Sequence, residues 1–168
     1  MRKLFPLLLC NHKGLSKLHE AKVRMTVDYL FGKNISSALP KKGFRFEISK
    51  KTKRIRRVYH NDELFATFRP DGTVALTIYA AQILSKHQSF SDNCIIINDE
   101  VKEFVKEGRS VFAKHVVSAG EFIRPNSEVA VLDSKGDVIA VGRAILPSIL
   151  MTSIKRGVAI KVRKGAED

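Results

Sequence analysis

The sequence predicts an α+β protein in two parts: a helix packed on an antiparallel sheet, then a small, mostly-β pseudo-barrel. Three observations carry this. Apolar residues recur at helical spacing between residues 15 and 31, the period switches to two from Phe44, and beyond residue 93 short strands follow one another with little helix between them.

Leu15, Leu18, Ala21, Met25 and Tyr29 share one side of a helix and Lys17, Glu20, Arg24 and Asp28 the other, so residues 15–31 read as an amphipathic helix buried through the first set. Gly32 is placed to end it. Phe44, Phe46 and Ile48 alternate with Arg45 and Glu47 in a first strand, and a basic stretch leads into a second, Arg56 to His60. A turn at His60-Asn61-Asp62 opens a third strand on Leu64, Ala66 and Phe68. Arg69-Pro70-Asp71-Gly72 turns the chain again into Val74, Leu76 and Ile78, and a short helix around Ala80 to Lys86 closes the unit.

His87 to Asn93 is polar and turn-rich, which sets the expected boundary between a domain over 1–92 and one over 93–168. In the second, Cys94 to Ile97 is a buried strand and Asp99 to Glu107 a short helix stopped by Gly108. Val111 to Val117, Glu128 to Leu132, Val138 to Ile145 and Gly157 to Val162 are further strands, with Asp133 to Asp137 as a hairpin turn. Such a succession closes, or nearly closes, into a barrel.

The 168 residues carry 30 Lys and Arg against 17 Asp and Glu, a net charge of +13, which makes a polyanion the leading partner class. The excess is uneven: residues 1–93 hold 18 basic and 7 acidic groups, residues 94–168 hold 12 and 10. Cys10 and Cys94 are too few for a disulfide framework and lack the spacing of a zinc site, so both read as reduced, buried thiols. Met1-Arg-Lys followed by Leu4 to Cys10 is interrupted by Pro6, has no small-residue cleavage site and is far too short to span a membrane. The expectation is a cytoplasmic protein, without a membrane partner, whose Leu4 to Leu9 is either a buried first strand or an exposed docking patch.

The densest basic run is Lys41, Lys42, Arg45, Lys50, Lys51, Lys53, Arg54, Arg56 and Arg57, with Glu47 the one acid among them. Lys50 to Lys53 at a hairpin tip would spread like a fan over phosphates, a contact that weakens steeply with salt. The alternative is a solvated face that keeps the protein soluble. Gly108-Arg109, Gly142-Arg143 and Arg156-Gly157 repeat a pairing of glycine with arginine. A missing side chain lets a nucleic-acid backbone approach while the guanidinium grips phosphate through two hydrogen bonds; equally, the glycines serve as caps and bends. Phe112 is either core, by alternation, or a stacking surface for a base.

Taken in order, Glu107-Gly-Arg-Ser-Val-Phe-Ala-Lys114, Ile123-Arg-Pro125 followed by Glu128-Val129, Val141-Gly-Arg-Ala144 and Lys155-Arg-Gly-Val-Ala-Ile-Lys-Val-Arg163 resemble the PUA domain over Asn93 to Lys164. Tyr29-Leu-Phe-Gly-Lys33, Lys53-Arg-Ile-Arg-Arg-Val-Tyr59, Glu63-Leu-Phe-Ala-Thr-Phe-Arg-Pro70 and Phe104-Val-Lys-Glu-Gly-Arg109 look like the region ahead of the PUA domain in archaeal tRNA-guanine (archaeosine) transglycosylase. The resemblance implies a cystatin-like pre-PUA domain followed by a PUA domain that grips the acceptor stem and 3′ end of tRNA. It carries RNA contact onto Arg109, Lys114, Arg143, Arg156 and Lys161, and close approach onto Gly108, Gly142 and Gly157.

The catalytic barrel of that enzyme, with its carboxylate nucleophile and its zinc held by clustered Cys and His, has no counterpart in these residues. His12, His19, His60, His87 and His115 are scattered, and Cys10, His12 and His19 straddle a strand end and a helix start. No nucleophile–base constellation and no phosphate-binding glycine motif occurs, so neither catalysis, cofactor nor metal is expected. Three readings stand: a non-catalytic tRNA-binding adaptor or accessory subunit in tRNA modification, an obligate subunit of a split transglycosylase whose separately encoded partner supplies the active site, and a ribosome-associated or rRNA-binding factor.

Overall fold

The computed structural model describes residues 12–167; the segment Leu4 to Leu9 and Cys10 lie outside the described residues, and so, in part, does the set of Cys10, His12 and His19. Helix α1 spans His12–Phe31 and buries Val23, Val27 and Phe31. This is a different face from the expected one: Leu18 is 52%, Met25 71% and Tyr29 87% exposed. The reason lies beyond the helix. The spacing of four that joins Val23, Val27 and Phe31 continues into Ile35 of a 3-10 turn, Ile35–Ala38, and on to Leu39, both buried, so one apolar run crosses Gly32.

Arg24 and Asp28, expected on the solvent side, fasten that turn. Arg24 donates to the carbonyls of Ser36 at 2.9 Å and Pro40 at 2.6 Å while pairing with Glu20 at 2.8 Å. Asp28 accepts from the Ser36 amide and hydroxyl, both at 2.7 Å. These bonds leave the Met25 and Tyr29 face outward.

Strands β1 (Phe44–Ile48), β2 (Ile55–His60), β3 (Glu63–Phe68) and β4 (Val74–Leu76) form an antiparallel meander in that order. Its inner face, with Val58, Phe65, Ala66, Val74 and Leu76, packs against α1. β4 stops at Leu76 rather than running on to Ile78, because the Thr77 side chain accepts from the Ala80 amide and starts helix α2 (Ile78–Leu84).

The second sheet has six strands in the order β6-β10-β9-β8-β5-β7: β5 (Cys94–Ile97), β6 (Val111–Phe112), β7 (Val116–Ala119), β8 (Glu128–Leu132), β9 (Val138–Ala144) and β10 (Val158–Gly165). β5 pairs with β8 in parallel and every other pair is antiparallel. Helix α3 (Lys102–Lys106) precedes β6. The single strand expected over Val111 to Val117 is broken by a 3-10 turn at Ala113–His115, which sends β6 to one edge of the sheet and β7 to the other. Helix α4 (Ser148–Ser153), which the sequence does not predict, lies against both that turn and β7, with Met151 fully buried between the two edges.

The two sheets share a core. Cys94, Ala130, Val138 and Val141 on the outer face of the second sheet pack in one cluster with Ala80, Ala81 and Leu84 of α2. The polar stretch 87–93 between the sheets is folded rather than open: Phe90 is fully buried against Phe31, and the Asn93 side chain donates to the Phe31 carbonyl at 2.6 Å. Glu128 and Arg163 complete the junction at the outer edge of β4. Glu128 accepts from the Leu76 amide at 3.0 Å, Arg163 donates to the Leu76 carbonyl, and Glu128 and Arg163 stand 2.5 Å apart.

Candidate nucleic-acid interface

The turn between β1 and β2 is closed by Ser49 and Arg54, the amide of Ser49 donating to the Arg54 carbonyl at 2.9 Å, and Lys53 takes a left-handed conformation at φ 56°. Lys50, Lys51, Lys53 and Arg54 therefore project from the tip, exposed, with no carboxylate in ion-pair reach among the described residues. Arg56 and Arg57 differ: Glu47, across the ladder, lies 4.0 Å from the first and 3.2 Å from the second. Arg45 lies 4.2 Å over the Tyr59 ring and 3.5 Å from Asp62. Of the six positions from Lys50 to Arg57 singled out for RNA contact, the first four are thus free charges and the last two are tied to the sheet.

In the second sheet the structure brings Phe112, Lys114, Arg156 and Gly157 to one edge. Phe112 pairs with Val158, and the Ala113 amide donates to the Gly157 carbonyl at 3.0 Å. Val111 takes the inward position of this two-residue strand, leaving Phe112 48% exposed rather than in the core. Gly157 has φ 98°, and a side chain placed there would meet nothing within 4 Å, so its backbone is open to an approaching chain.

Arg143 and Lys161 are neighbours across β9 and β10, both exposed on the outer face. Gly142 beside them is buried, and the room for a side chain is taken by the Lys161 carbonyl at 2.5 Å and Val162 Cα at 2.9 Å. It brings two strands together instead of opening the surface. Gly108 closes the end of α3, where its amide donates to Val105 and that of Arg109 to Phe104, both at 3.0 Å. The Arg109 guanidinium sits 5.2 Å over the Phe104 ring and 3.7 Å from Glu107, exposed.

Sequence reasoning missed three residues that the fold makes important. Lys22 on α1 and Arg69 after β3 face the basic hairpin across a cleft, and Arg163 pairs with the buried Glu128. Burial pushes the Glu128 carboxyl above its ordinary value, against the opposing pull of the Arg163 hydrogen bond and charge. Burial, helped by Asp92, pushes the Cys94 thiol up to about 12, so it is a neutral packing group at pH 7 and no nucleophile. Among the described residues no group of three His, Cys, Asp or Glu side chains is placed to hold a metal ion, and no helix is long and apolar enough to cross a membrane.

The fold and its charges define a class: a helix-on-sheet unit with a basic hairpin, fused to a nearly closed β pseudo-barrel with a basic, aromatic edge. Residues 93–166 match the PUA domain, and residues 21–90 match the patch-forming domain C2 of tRNA-guanine transglycosylase. Residues 93–166 thus carry a PUA domain, and across both units the chain resembles the C-terminal part of archaeal tRNA-guanine(15) transglycosylase.

The tRNA-guanine(15) transglycosylase of Methanothermobacter thermautotrophicus is 35% identical over 145 residues, 86% of this chain, and that of Thermococcus kodakarensis is 33% identical over 146 residues, also 86%. The chain spans only 22% and 25% of their respective lengths. A hypothetical protein from Pyrococcus horikoshii superimposes with a TM-score of 0.69 at 23% identity, covering 90% of this chain and 92% of its own. A conserved PUA domain protein from Thermoplasma acidophilum does so with a TM-score of 0.61 at 20% identity, covering 93% and 91%. These two likenesses establish the α+β fold.

Proposed function

We propose that the chain is a non-catalytic tRNA-binding protein that acts in the cytoplasm as an adaptor or accessory subunit in tRNA modification. In this reading residues 1–92 and 93–168 work as the two halves of one clamp. The edge bearing Phe112, Lys114, Arg156 and Gly157, with Arg143, Lys161, Gly108 and Arg109 around it, grips the acceptor stem and 3′ end. The tip bearing Lys50, Lys51, Lys53 and Arg54 runs along phosphates, with Arg56 and Arg57 behind it. Recognition is by backbone and shape, because the accessible groove of an A-form stem displays hydroxyls more than sequence.

The observation that carries the reading is the likeness, through both units, to the C-terminal part of enzymes named for acting on tRNA. The test is equilibrium binding of three RNAs: a tRNA, the same tRNA without its 3′ tail, and a ribosomal RNA hairpin. The expected order is intact tRNA first, then truncated tRNA, then the hairpin. Equal affinity for all three discards the tRNA-specific reading in favour of a ribosome-associated one.

A second reading, an obligate subunit of a split archaeosine transglycosylase, is supported by the 35% identity over 145 residues to tRNA-guanine(15) transglycosylase. Affinity recovery of the protein from its native cells then brings down a transglycosylase catalytic subunit together with tRNA. Recovery of tRNA alone favours the adaptor.

A further inference from the structure

A cleft of about 800 Å³ opens between α1 and the basic hairpin, bounded at its end by the turn after β3. Its cations come from three places: Lys22 on α1, Lys53, Arg54 and Arg56 on the hairpin, and Arg69 beyond β3. Among the described residues no Asp or Glu is part of its lining. Arg56 has Glu47 at 4.0 Å and Arg69 has Glu128 at 3.7 Å, but Lys22, Lys53 and Arg54 have no carboxylate in ion-pair reach among the described residues. Like charges converging on a concave surface repel one another and focus a positive potential into it, so the cleft favours an anion.

The floor is apolar. Ile55 and Phe68 are half-buried there, and Met25, on the helix face that the core does not use, stands 71% exposed at the rim. A phosphate alone needs neither this floor nor this volume, which falls in the ~300–1,000 Å³ range of pockets for organic ligands. A paired A-form strand offers phosphates and riboses but keeps its base faces stacked. One unit has both an anionic group and a free apolar face: an unpaired nucleotide.

We propose that this cleft takes one unpaired nucleotide of the bound RNA, with its phosphate among Lys22, Lys53 and Arg54 and its base against Phe68, Ile55 and Met25. The proposal rests on the RNA-binding reading and adds to it a second, separate point of recognition, distinct from the Phe112 edge. It gives the helix face bearing Met25 a use.

Two probes test it: a blunt-ended RNA duplex with every nucleotide paired, and the same duplex with a single bulged uridine. The wild-type protein is expected to bind the bulged RNA about tenfold more tightly, the scale of one base stacked on a side chain. Met25→Glu, at an exposed position, brings the ratio of the two affinities to about one. Lys51→Ala, at the hairpin tip outside the cleft, lowers both affinities and keeps the ratio.

A wild-type ratio near one, or a ratio kept by Met25→Glu, overturns the proposal while leaving RNA binding intact; failure to bind either duplex overturns the proposal too, and the comparison of tRNA, truncated tRNA and ribosomal hairpin then decides the RNA-binding reading by itself. As a second measurement, 4-thiouridine at the bulge crosslinks to the peptide containing Met25 or that containing Phe68. Crosslinks confined to other peptides overturn the assignment.

Discussion

The guanidinium of Arg163 meets the carboxylate of Glu128 at 2.5 Å where the two sheets join, and each also binds the backbone of Leu76, one at its carbonyl and the other at its amide. Four polar groups from opposite halves of the chain thus bind one another, with the Glu128 carboxylate buried and the Arg163 side chain 34% exposed.

That junction predicts a pH-dependent stability. Glu128 titrates above its ordinary value in the folded protein, so its protonated form is the one folding favours. Its contribution is most favourable below the ordinary carboxylate value and is lost as pH rises through the folded one. Arg163→Met removes the main opposing bond and raises the folded value further. The loss should be on the order of 2 kcal/mol at pH 7, below the ~3–5 kcal/mol of a fully buried pair because the Arg163 side chain is 34% exposed and Arg69 remains 3.7 Å from Glu128, and distinctly smaller at pH 4. Urea unfolding midpoints at the two pH values measure it, and an equal loss at both would remove Glu128 from the explanation. Glu128→Gln, which keeps an oxygen for the Leu76 amide, should flatten the pH dependence.

The face of α1 can be tested by two aromatic truncations two residues apart. Phe31→Ala empties a buried position and should cost about 3 kcal/mol. Tyr29→Ala, at 87% exposure, should change stability by no more than about 0.5 kcal/mol. Thermal or urea denaturation separates the two, and a large loss at Tyr29 would restore the face expected from sequence.

At the hairpin tip, replacing Lys51, Lys53 and Arg54 with Ala should weaken RNA binding and reduce the slope of log affinity against log salt by about 0.7–0.9 for each phosphate no longer neutralised. The unfolding midpoint should stay put, since none of the three has a carboxylate in ion-pair reach among the described residues. An unchanged salt slope would discard the tip as a phosphate-binding element. Arg57→Ala, which removes the 3.2 Å bond to Glu47, is expected to act on the sheet more than on the slope.

Phe112→Ala should reduce the advantage of intact tRNA over tRNA lacking its 3′ tail by about tenfold, the scale of one stacked base, with little effect on folding at a position 48% exposed. Replacing Arg143 and Arg156 with Ala should weaken binding of both RNAs. If Arg143→Ala and Arg156→Ala lower only the unfolding temperature, those arginines are structural.

Much of the architecture is legible in the residues because it is local. Alternation at Phe44, Phe46, Val58, Phe68, Val74 and Leu76 reports the meander, and Lys50 to Arg54 form a recognisable tip because they are consecutive. The helix face is not legible, because α1 carries two apolar stripes of similar spacing and the choice between them is made by Ile35, Leu39 and the bonds from Arg24 and Asp28 to a turn up to sixteen residues away. Nor does Val-Phe-Ala-Lys-His-Val-Val announce its break at Ala113: valine and phenylalanine at both ends suit a strand, and the break shows only in the sheet, where β6 and β7 lie at opposite edges. Lys22, Arg54 and Arg69 converge on the cleft, and Glu128 and Arg163 on the junction, from positions too far apart in sequence for any motif to join them.

β4 ends the first sheet with a strand of only three residues, and a bare strand edge is a template onto which another chain can add. At Leu76 that edge is occupied by a carboxylate and a guanidinium, which supply an acceptor and a donor as a neighbouring strand would. The second half of the molecule therefore acts as a guard for the first. Cut away from it, the meander would present an open ladder beside the apolar surface of Ala80, Ala81 and Leu84, and self-association into larger aggregates would become its main hazard.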